Sequence, residues 1–374
     1  MSNGWTRRAV LTGLTGGVAT AAIAGEPRPA VLQERKLGWA IVALGSLSWG
    51  QILPGFAQCK QSKLVAVVTG TPEKGKRARE RYGVPSVYNY ENFDKIKDNP
   101  DIDCVYIVLP NGMHAEYTIR AANAGKHVLC EKPMANTPEE CEQMIAACKK
   151  NRVKLMVAYR CQYEPHNVEA IRLAQEGKLG KLKVITSDHG FAIGDPSQWR
   201  CNKKLAGGGS LMDIGIYSLQ AARYLTGEEP VAVSAQEFST PNDPRFKEVE
   251  ENINFVLRFP SGVLANCSSS YGYTYQNRIR AVGETGWVDL EPATAYGGIS
   301  MRTFLDSKFQ ERKMPDGNHF AREMDHLSEC VLKDKTPKTP GEEGLADLRV
   351  MMAIYEAART GKTVSLPTKV DTLS

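Results

Sequence analysis

An ammonium, a carboxylate and a phenol carry the chemistry that can be read from this chain of 374 residues: Lys132 in Glu131-Lys132-Pro133, and Asp213 and Tyr217 in the stretch from Gly207 to Tyr217. Lys132 stands beside a proline where a short apolar strand ends, and that edge of an open parallel sheet is where such folds bind ligands. Half-buried there, a lysine would lose solvation and shift its pKa downward from about 10.4, which suits proton traffic beside a redox centre. Asp213 and Tyr217 are spaced to share one face of an otherwise apolar helix, with Gly207-Gly208-Gly209 as a flexible lead-in. If buried, both need partners. Either they satisfy each other or the backbone, or their face meets Lys132 across a crevice. In the second case the three provide what alcohol oxidation requires: a proton acceptor, a charge that tunes it, and a group that fixes the substrate hydroxyl.

The elements that must position these groups follow a βα rhythm, the pattern of an α/β fold with a doubly wound sheet. Apolar runs at Leu37 to Leu44, Leu64 to Val68, Cys104 to Leu109, His127 to Cys130 and Leu155 to Ala158 predict strands. Between them Gly50 to Cys59, Pro72 to Tyr82, His114 to Ala124 and Pro138 to Asn151 predict helices. Beyond Tyr159 the pattern changes. A helix from His166 to Glu176 and a strand from Lys181 to Asp188 lead past the glycine run. Strand-like runs follow at Val231 to Phe238, Asn252 to Phe259, Val263 to Tyr271 and Arg278 to Val282, with turn signals that predict antiparallel pairing. Two helices, Phe320 to Lys333 and Glu342 to Thr360, close the chain. The length exceeds what one core normally serves, so two domains are expected.

The first strand runs into Ala43-Leu44-Gly45-Ser46-Leu47-Ser48. This occupies the place of a GxGxxG turn but keeps its middle glycine alone, where the backbone approaches a pyrophosphate at a helix N-terminus. An NAD-binding fold would carry an acid about twenty positions on. Here the second strand ends Val68-Thr69-Gly70-Thr71 with Lys74 beyond, and a hydroxyl and a lysine suit a 2′-phosphate, so NADP is the expected cofactor.

Composition excludes several classes. A net charge of +5, with 24% charged and 42% hydrophobic residues, is that of an ordinary globular protein and does not point to nucleic acid. The nine scattered cysteines and six dispersed histidines show no CxxC pair and no metal-ligand spacing, so neither a disulfide framework nor a metal site is expected. Arg7-Arg8 before a Gly/Ala/Thr-rich stretch ending Ala22-Ile23-Ala24 reads as a twin-arginine export signal over residues 1–24. The stretch is too short and too glycine-rich to hold a bilayer. The expectation is a periplasmic protein, exported folded, with a polar arm over residues 25–36 and no membrane contact once the leader is removed.

The cofactor loop, Leu109-Pro110-Asn111 with His114, the Glu131-Lys132-Pro133 triplet and the Asp213/Tyr217 helix together resemble the glucose-fructose oxidoreductase family (Gfo/Idh/MocA type) of nicotinamide-dependent sugar oxidoreductases. The likeness extends over nearly the whole chain, to Gly341-Glu342-Glu343-Gly344 and Ile354 to Gly361. It is strongest to the periplasmic glucose-fructose and aldose-aldose subgroup. The resemblance implies a Rossmann domain over residues 37–158 and an α/β domain over 159–374, whose large, mostly antiparallel sheet serves substrate binding and contacts in a homo-dimer or tetramer. It implies a cis Pro133. It makes Tyr217, where many members carry histidine, the acid/base, with Asp213 and Lys132 beside it; Lys132 would draw the phenol down from about 10. Gly45, Ser46 and Leu47 would line the phosphates, and Thr69, Gly70, Lys74 and Tyr90 the adenosine phosphate end of NADP. Leu109, Pro110, Asn111, His114 and Glu131 would complete the cofactor site, with Arg160, Trp199 and Arg200 near nicotinamide and sugar. The subgroup keeps NADP tightly bound, so monosaccharides would react in a ping-pong cycle: an aldose leaves as an aldonolactone, and a second sugar, aldose or fructose, as an alditol. A dehydrogenase exchanging free cofactor and a non-catalytic nicotinamide-binding sensor are the alternatives.

Overall fold

The computed structural model describes residues 35–315 and 317–367. The leader expected over residues 1–24, and the arm except for Arg35 and Lys36, lie outside the described residues. The apolar runs form a six-stranded, all-parallel sheet of β1 (Leu37–Val42), β2 (Ser62–Val68), β3 (Ser86–Tyr88), β4 (Cys104–Ile107), β5 (His127–Cys130) and β6 (Leu155–Val157). Its order is β3-β2-β1-β4-β5-β6. Covered by helices on both faces, such strands read as continuous apolar runs, and β1 is buried at every position. β3 escapes a reading by pattern because its three half-buried residues are too few to show one. The strand order reverses between β1 and β4, which opens a crevice at their C-terminal ends.

The helices Pro72–Tyr82, His114–Asn123 and Pro138–Lys150 lie where periodicity predicts them. Thr137 and Glu140 close a reciprocal capping box on the last. The first helical run differs. It starts directly after Gly45 and changes register, with a π turn Ser48–Ile52 followed by Leu53–Gly55 and a 3-10 turn Phe56–Gln58. Pro54 lies inside this run and brings no N–H to continue an α ladder.

The second sheet has nine strands: β7 (Leu182–Gly190), β8 (Ala232–Phe238), β9 (Asn252–Arg258), β10 (Leu264–Ser270), β11 (Gln276–Gly283), β12 (Trp287–Leu290), β13 (Met301–Leu305), β14 (Lys308–Arg312) and β15 (Val364–Ser365), in the order β14-β13-β12-β11-β7-β10-β9-β8-β15. All its pairs are antiparallel except β7 with β10. Parallel pairing there sets the C-terminal ends of β7 and β10 side by side, at Gly190 and Ser270. The helices Ile216–Thr226 and Gly341–Thr360 cover this sheet, and one continuous apolar core runs between the two sheets, joining Val105 and Val128 of the first to Phe255 and Ile279 of the second.

The glycine run is not a flexible lead-in. A Cβ on Gly208 would stand 2.0 Å from the Tyr355 hydroxyl and one on Gly209 1.9 Å from the Glu250 carbonyl. Both glycines are buried because packing needs their missing side chains. The buried Glu250 carboxylate accepts from the N–H groups of Gly209 (2.7 Å) and Leu211 (2.9 Å) and so anchors the helix start.

Ala43, in place of the first glycine of the turn, takes a left-handed conformation with φ 77°. Ser48, in place of the third, is fully buried and donates from Oγ to the Ala43 carbonyl at 2.7 Å. Left-handed alanine costs roughly 1–2 kcal/mol, and the hydroxyl holds the turn against that cost. Ser48→Ala should lower unfolding stability by about 1–2 kcal/mol, and adding Ala43→Gly should recover part of the loss in denaturant titrations. No recovery in the double variant would mean that the turn carries no strain at Ala43.

Candidate active site

The sheet edges deliver their residues to one pocket of about 390 Å³, lined among others by Lys132, Arg160, His189, Arg200, Asp213, Tyr217 and Tyr296. Lys132 follows β5, Arg160 follows β6, and His189 is the penultimate residue of β7. Asp213 lies within a second π turn, Leu211–Gly215, which leads into the helix of Tyr217. Such widened turns recur at functional sites.

Asp213 is the hub. Its Oδ1 accepts from Lys132 Nζ at 3.0 Å, and its Oδ2 accepts from Arg200 Nε at 2.7 Å and from the Tyr271 hydroxyl at 3.0 Å. Its carbonyl takes a further bond from Lys132 Nζ at 2.5 Å. Burial would raise this carboxyl, but Arg200 and Lys132 outweigh it and hold Asp213 well below the usual carboxylate range. The expected downward shift of Lys132 is corrected here. Burial does push the ammonium down, but Tyr217, Asp213 and Glu131 together hold it above its ordinary value. Lys132 is therefore a fixed cation and not a proton acceptor at neutral pH. Its Nζ lies 4.8 Å from the centre of the Tyr217 ring, and the Arg160 guanidinium 5.1 Å. Two cations thus border the phenol ring.

The other expected site residues divide by what they touch. Arg160 is buried, donates from Nη2 to the Thr294 carbonyl at 2.5 Å, and lies 4.7 Å from the Tyr296 ring centre. Trp199 stands behind Arg200, whose guanidinium lies 4.6 Å from its ring, so it reaches the pocket through that arginine. His114 is fully buried, with its nitrogens 2.9 Å and 2.7 Å from the carbonyls of Pro133 and Leu109. It fastens the two loops together and can affect a cofactor through them alone. Asn111, also buried, donates to the Ala206 carbonyl at 2.8 Å. The Lys132–Pro133 bond is cis, as the resemblance implies.

The residues present fit a nicotinamide dinucleotide. Gly45 is exposed at the start of the helical run, and a Cβ there would meet nothing within 4 Å, so the turn is open to a pyrophosphate. A Cβ on Gly70 would come within 3.0 Å of the Tyr90 ring, which fixes these two residues as one surface. Thr69 is buried and its Oγ1 accepts from Thr71 N–H at 3.2 Å, shaping the strand end, with Lys74 exposed just beyond.

Sequence reasoning missed His189, Tyr271, Thr294 and Tyr296. They come from strand ends and a loop with no local motif; His189, Thr294 and Tyr296 line the pocket, and Tyr271 backs it through its bond to Asp213. It also missed a buried carboxyl pair below Lys132. The Tyr106 hydroxyl lies 2.7 Å from Glu131 Oε1 and 2.9 Å from Glu323 Oε1. One phenolic proton serves one of these contacts, so the other needs a carboxylic acid proton. Burial, and then the charge of Glu131, push Glu323 well above the usual range, which makes Glu323 the acid.

Because the folded state keeps a proton on Glu323 that the unfolded chain releases above about pH 4.3, stability from this group is full below that pH. It is lost as pH rises toward the folded pKa. Glu323→Gln removes the titration, so its stability should fall less steeply above pH 5, by up to about 1.4 kcal/mol per pH unit. Urea titrations at several pH values measure this, and equal slopes in both proteins would contradict a protonated Glu323.

Known proteins share this fold. Residues 37–159 match the oxidoreductase family with an NAD-binding Rossmann fold, and residues 168–289 the GFO/IDH/MocA C-terminal domain. The structure of aldose-aldose oxidoreductase from Caulobacter crescentus, complexed with glycerol, is 56% identical with a TM-score of 0.87, covering 89% of this chain and 100% of that one. D-xylose 1-dehydrogenase [NADP(+)] from Haloarcula marismortui is 32% identical over 88% of this chain and 92% of its own length. A 3-ketoreductase from Actinomadura kijaniata, in complex with NADP and TDP-benzene, is 23% identical with a TM-score of 0.77, covering 86% of this chain and 98% of that one, and shares the fold. With this fold, this pocket and these matches over both sheets, the chain belongs to the GFO/IDH/MocA family of nicotinamide-dependent oxidoreductases.

Proposed function

We propose that this protein is a sugar oxidoreductase with tightly bound NADP. It oxidises an aldose at C1 to an aldonolactone and reduces a second sugar, aldose or fructose, to an alditol. The observation that carries this reading is the Tyr217 phenol bordered by the fixed cation Lys132, which Asp213 anchors, in a pocket of sugar size at the cofactor edge. The likeness to an aldose-aldose oxidoreductase supports the substrate class. Gly45, Ser46 and Leu47 would hold the pyrophosphate, and Thr69, Gly70, Lys74 and Tyr90 the adenosine phosphate. Bound there, NADP supplies the hydride acceptor.

The chain's own residues then handle the proton. Tyr217 takes the proton of the C1 hydroxyl as the hydride departs from C1, beside the cations Lys132 and Arg160. In the second half, Tyr217 returns a proton to the carbonyl oxygen of the incoming sugar. Asp213 stays ionised throughout and keeps Lys132 in place. Export folded into the periplasm by the twin-arginine route fits this reading, since a cofactor that never leaves needs no nicotinamide pool. A homo-oligomer fits it too, since the second sheet exposes Phe238, Val256 and Leu264. The similarity to an NADP-dependent xylose dehydrogenase favours a second reading, in which free cofactor exchanges at each turnover.

Purified protein should carry about one NADP per chain through desalting and, given glucose alone, should yield gluconolactone and sorbitol together. Apo protein that turns over only with added NADP would establish the exchanging dehydrogenase instead. Tyr217→Phe should lower turnover by roughly a hundredfold or more while circular dichroism stays unchanged. Thr69→Asp with Lys74→Ala should weaken NADP far more than NAD in titrations of stripped protein. Equal weakening would remove both residues from the 2′-phosphate site.

A further inference from the structure

His189 is 2% exposed, yet it forms part of the pocket wall, with its ring centre 5.7 Å from that of Tyr217. Its two nitrogens differ. Nδ1 lies 3.0 Å from Ser218 Oγ, and that hydroxyl donates onward to the Ser187 carbonyl at 3.2 Å. With its proton committed there, the Ser218 oxygen can only accept, so Nδ1 carries the hydrogen and Nε2 is a bare lone pair. Burial, followed by Arg160 and Lys132, pushes the ring down to about 3, so it does not protonate in the neutral range. Nε2 has no hydrogen-bond partner among the described residues. A buried acceptor left unmatched is costly, and beside a reaction centre it is a fixed demand for a donor.

We propose that His189 is a positioning residue whose Nε2 accepts a hydrogen bond from the substrate hydroxyl next to the one Tyr217 deprotonates. This inference rests on the aldose reading above. Under that reading the oxidised carbon is C1, whose ring neighbours are the ring oxygen and C2. The ring oxygen has no proton to give, so the donor is the C2 hydroxyl. His189 and Tyr217 lie side by side in the same pocket wall, with ring centres 5.7 Å apart, so one sugar can reach both. The site thus selects aldoses with a free 2-hydroxyl over 2-deoxy sugars, and Ser218 acts one step back by holding the tautomer.

The test is a cycle between protein and substrate. Initial rates are measured for holoenzyme and for His189→Phe with glucose and with 2-deoxyglucose. The unaltered protein should favour glucose by roughly ten- to a hundredfold in kcat/KM. In His189→Phe that preference should collapse toward unity, because glucose loses its partner and 2-deoxyglucose has none to lose. The ratio within each protein removes any general loss of activity, and comparing the ratios between proteins removes the intrinsic reactivity of the two sugars. Ser218→Ala, which leaves His189 in place and frees its tautomer, should narrow the preference partway and serves if the phenylalanine variant does not fold. An undiminished preference in both variants, or no preference in the unaltered protein, overturns the role of His189 and leaves the aldose reading standing. If glucose is not oxidised at C1 at all, the aldose reading fails and this inference falls with it.

Discussion

Two cations and a phenol compete for the carboxylate of Asp213, and the geometry of the pocket depends on that competition. Lys132 arrives from the parallel sheet, Arg200 from a 3-10 turn and Tyr271 from the end of β10, so one side chain ties three separate parts of the chain to the helix that carries Tyr217. Lys132 and Asp213 are each nearly buried, at 13% and 14% side-chain exposure. Removing one member of such a pair leaves a charge without compensation and typically costs about 3–5 kcal/mol. The arrangement is therefore all or nothing. Its chemical yield is a lysine held as a cation beside the Tyr217 ring.

The cofactor turn shows the same physics solved with different residues. A glycine-rich turn needs a left-handed residue at its first position and close packing at its last. Here Ala43 accepts the left-handed backbone and Ser48 contributes a buried hydroxyl that ties the turn shut. A pattern match fails on these two residues, although the turn they build remains open at Gly45, where a pyrophosphate has to approach.

What could be read from the residues alone was what depends on nearest neighbours. The strands of the parallel sheet are apolar runs because both faces are covered, and Asp213 and Tyr217, four residues apart, line one pocket although a π turn and not a regular helix carries Asp213. The direction of the Lys132 shift was not legible, because it depends on Asp213 and Tyr217, far along the chain, outweighing burial. Gly208 and Gly209 looked flexible because composition does not reveal that Tyr355 and Glu250 occupy the space of their side chains. β12 to β15 are short, and β14 is mostly exposed, so no apolar alternation marks it. His189 and Tyr271 carry no motif, and pairing between β7 and β10 alone makes them neighbours.

That pairing also bears on when the site can exist as the chain folds. β7 waits for β10, as Lys132 waits for Asp213, across about eighty residues of intervening chain in each case. Contacts closed over such separations form late, after the entropy of closing the loop has been met by other structure. A partly folded or C-terminally shortened chain can hold a complete parallel sheet and still lack any pocket. Occupancy of the pocket by a sugar would therefore report that folding has run to its end.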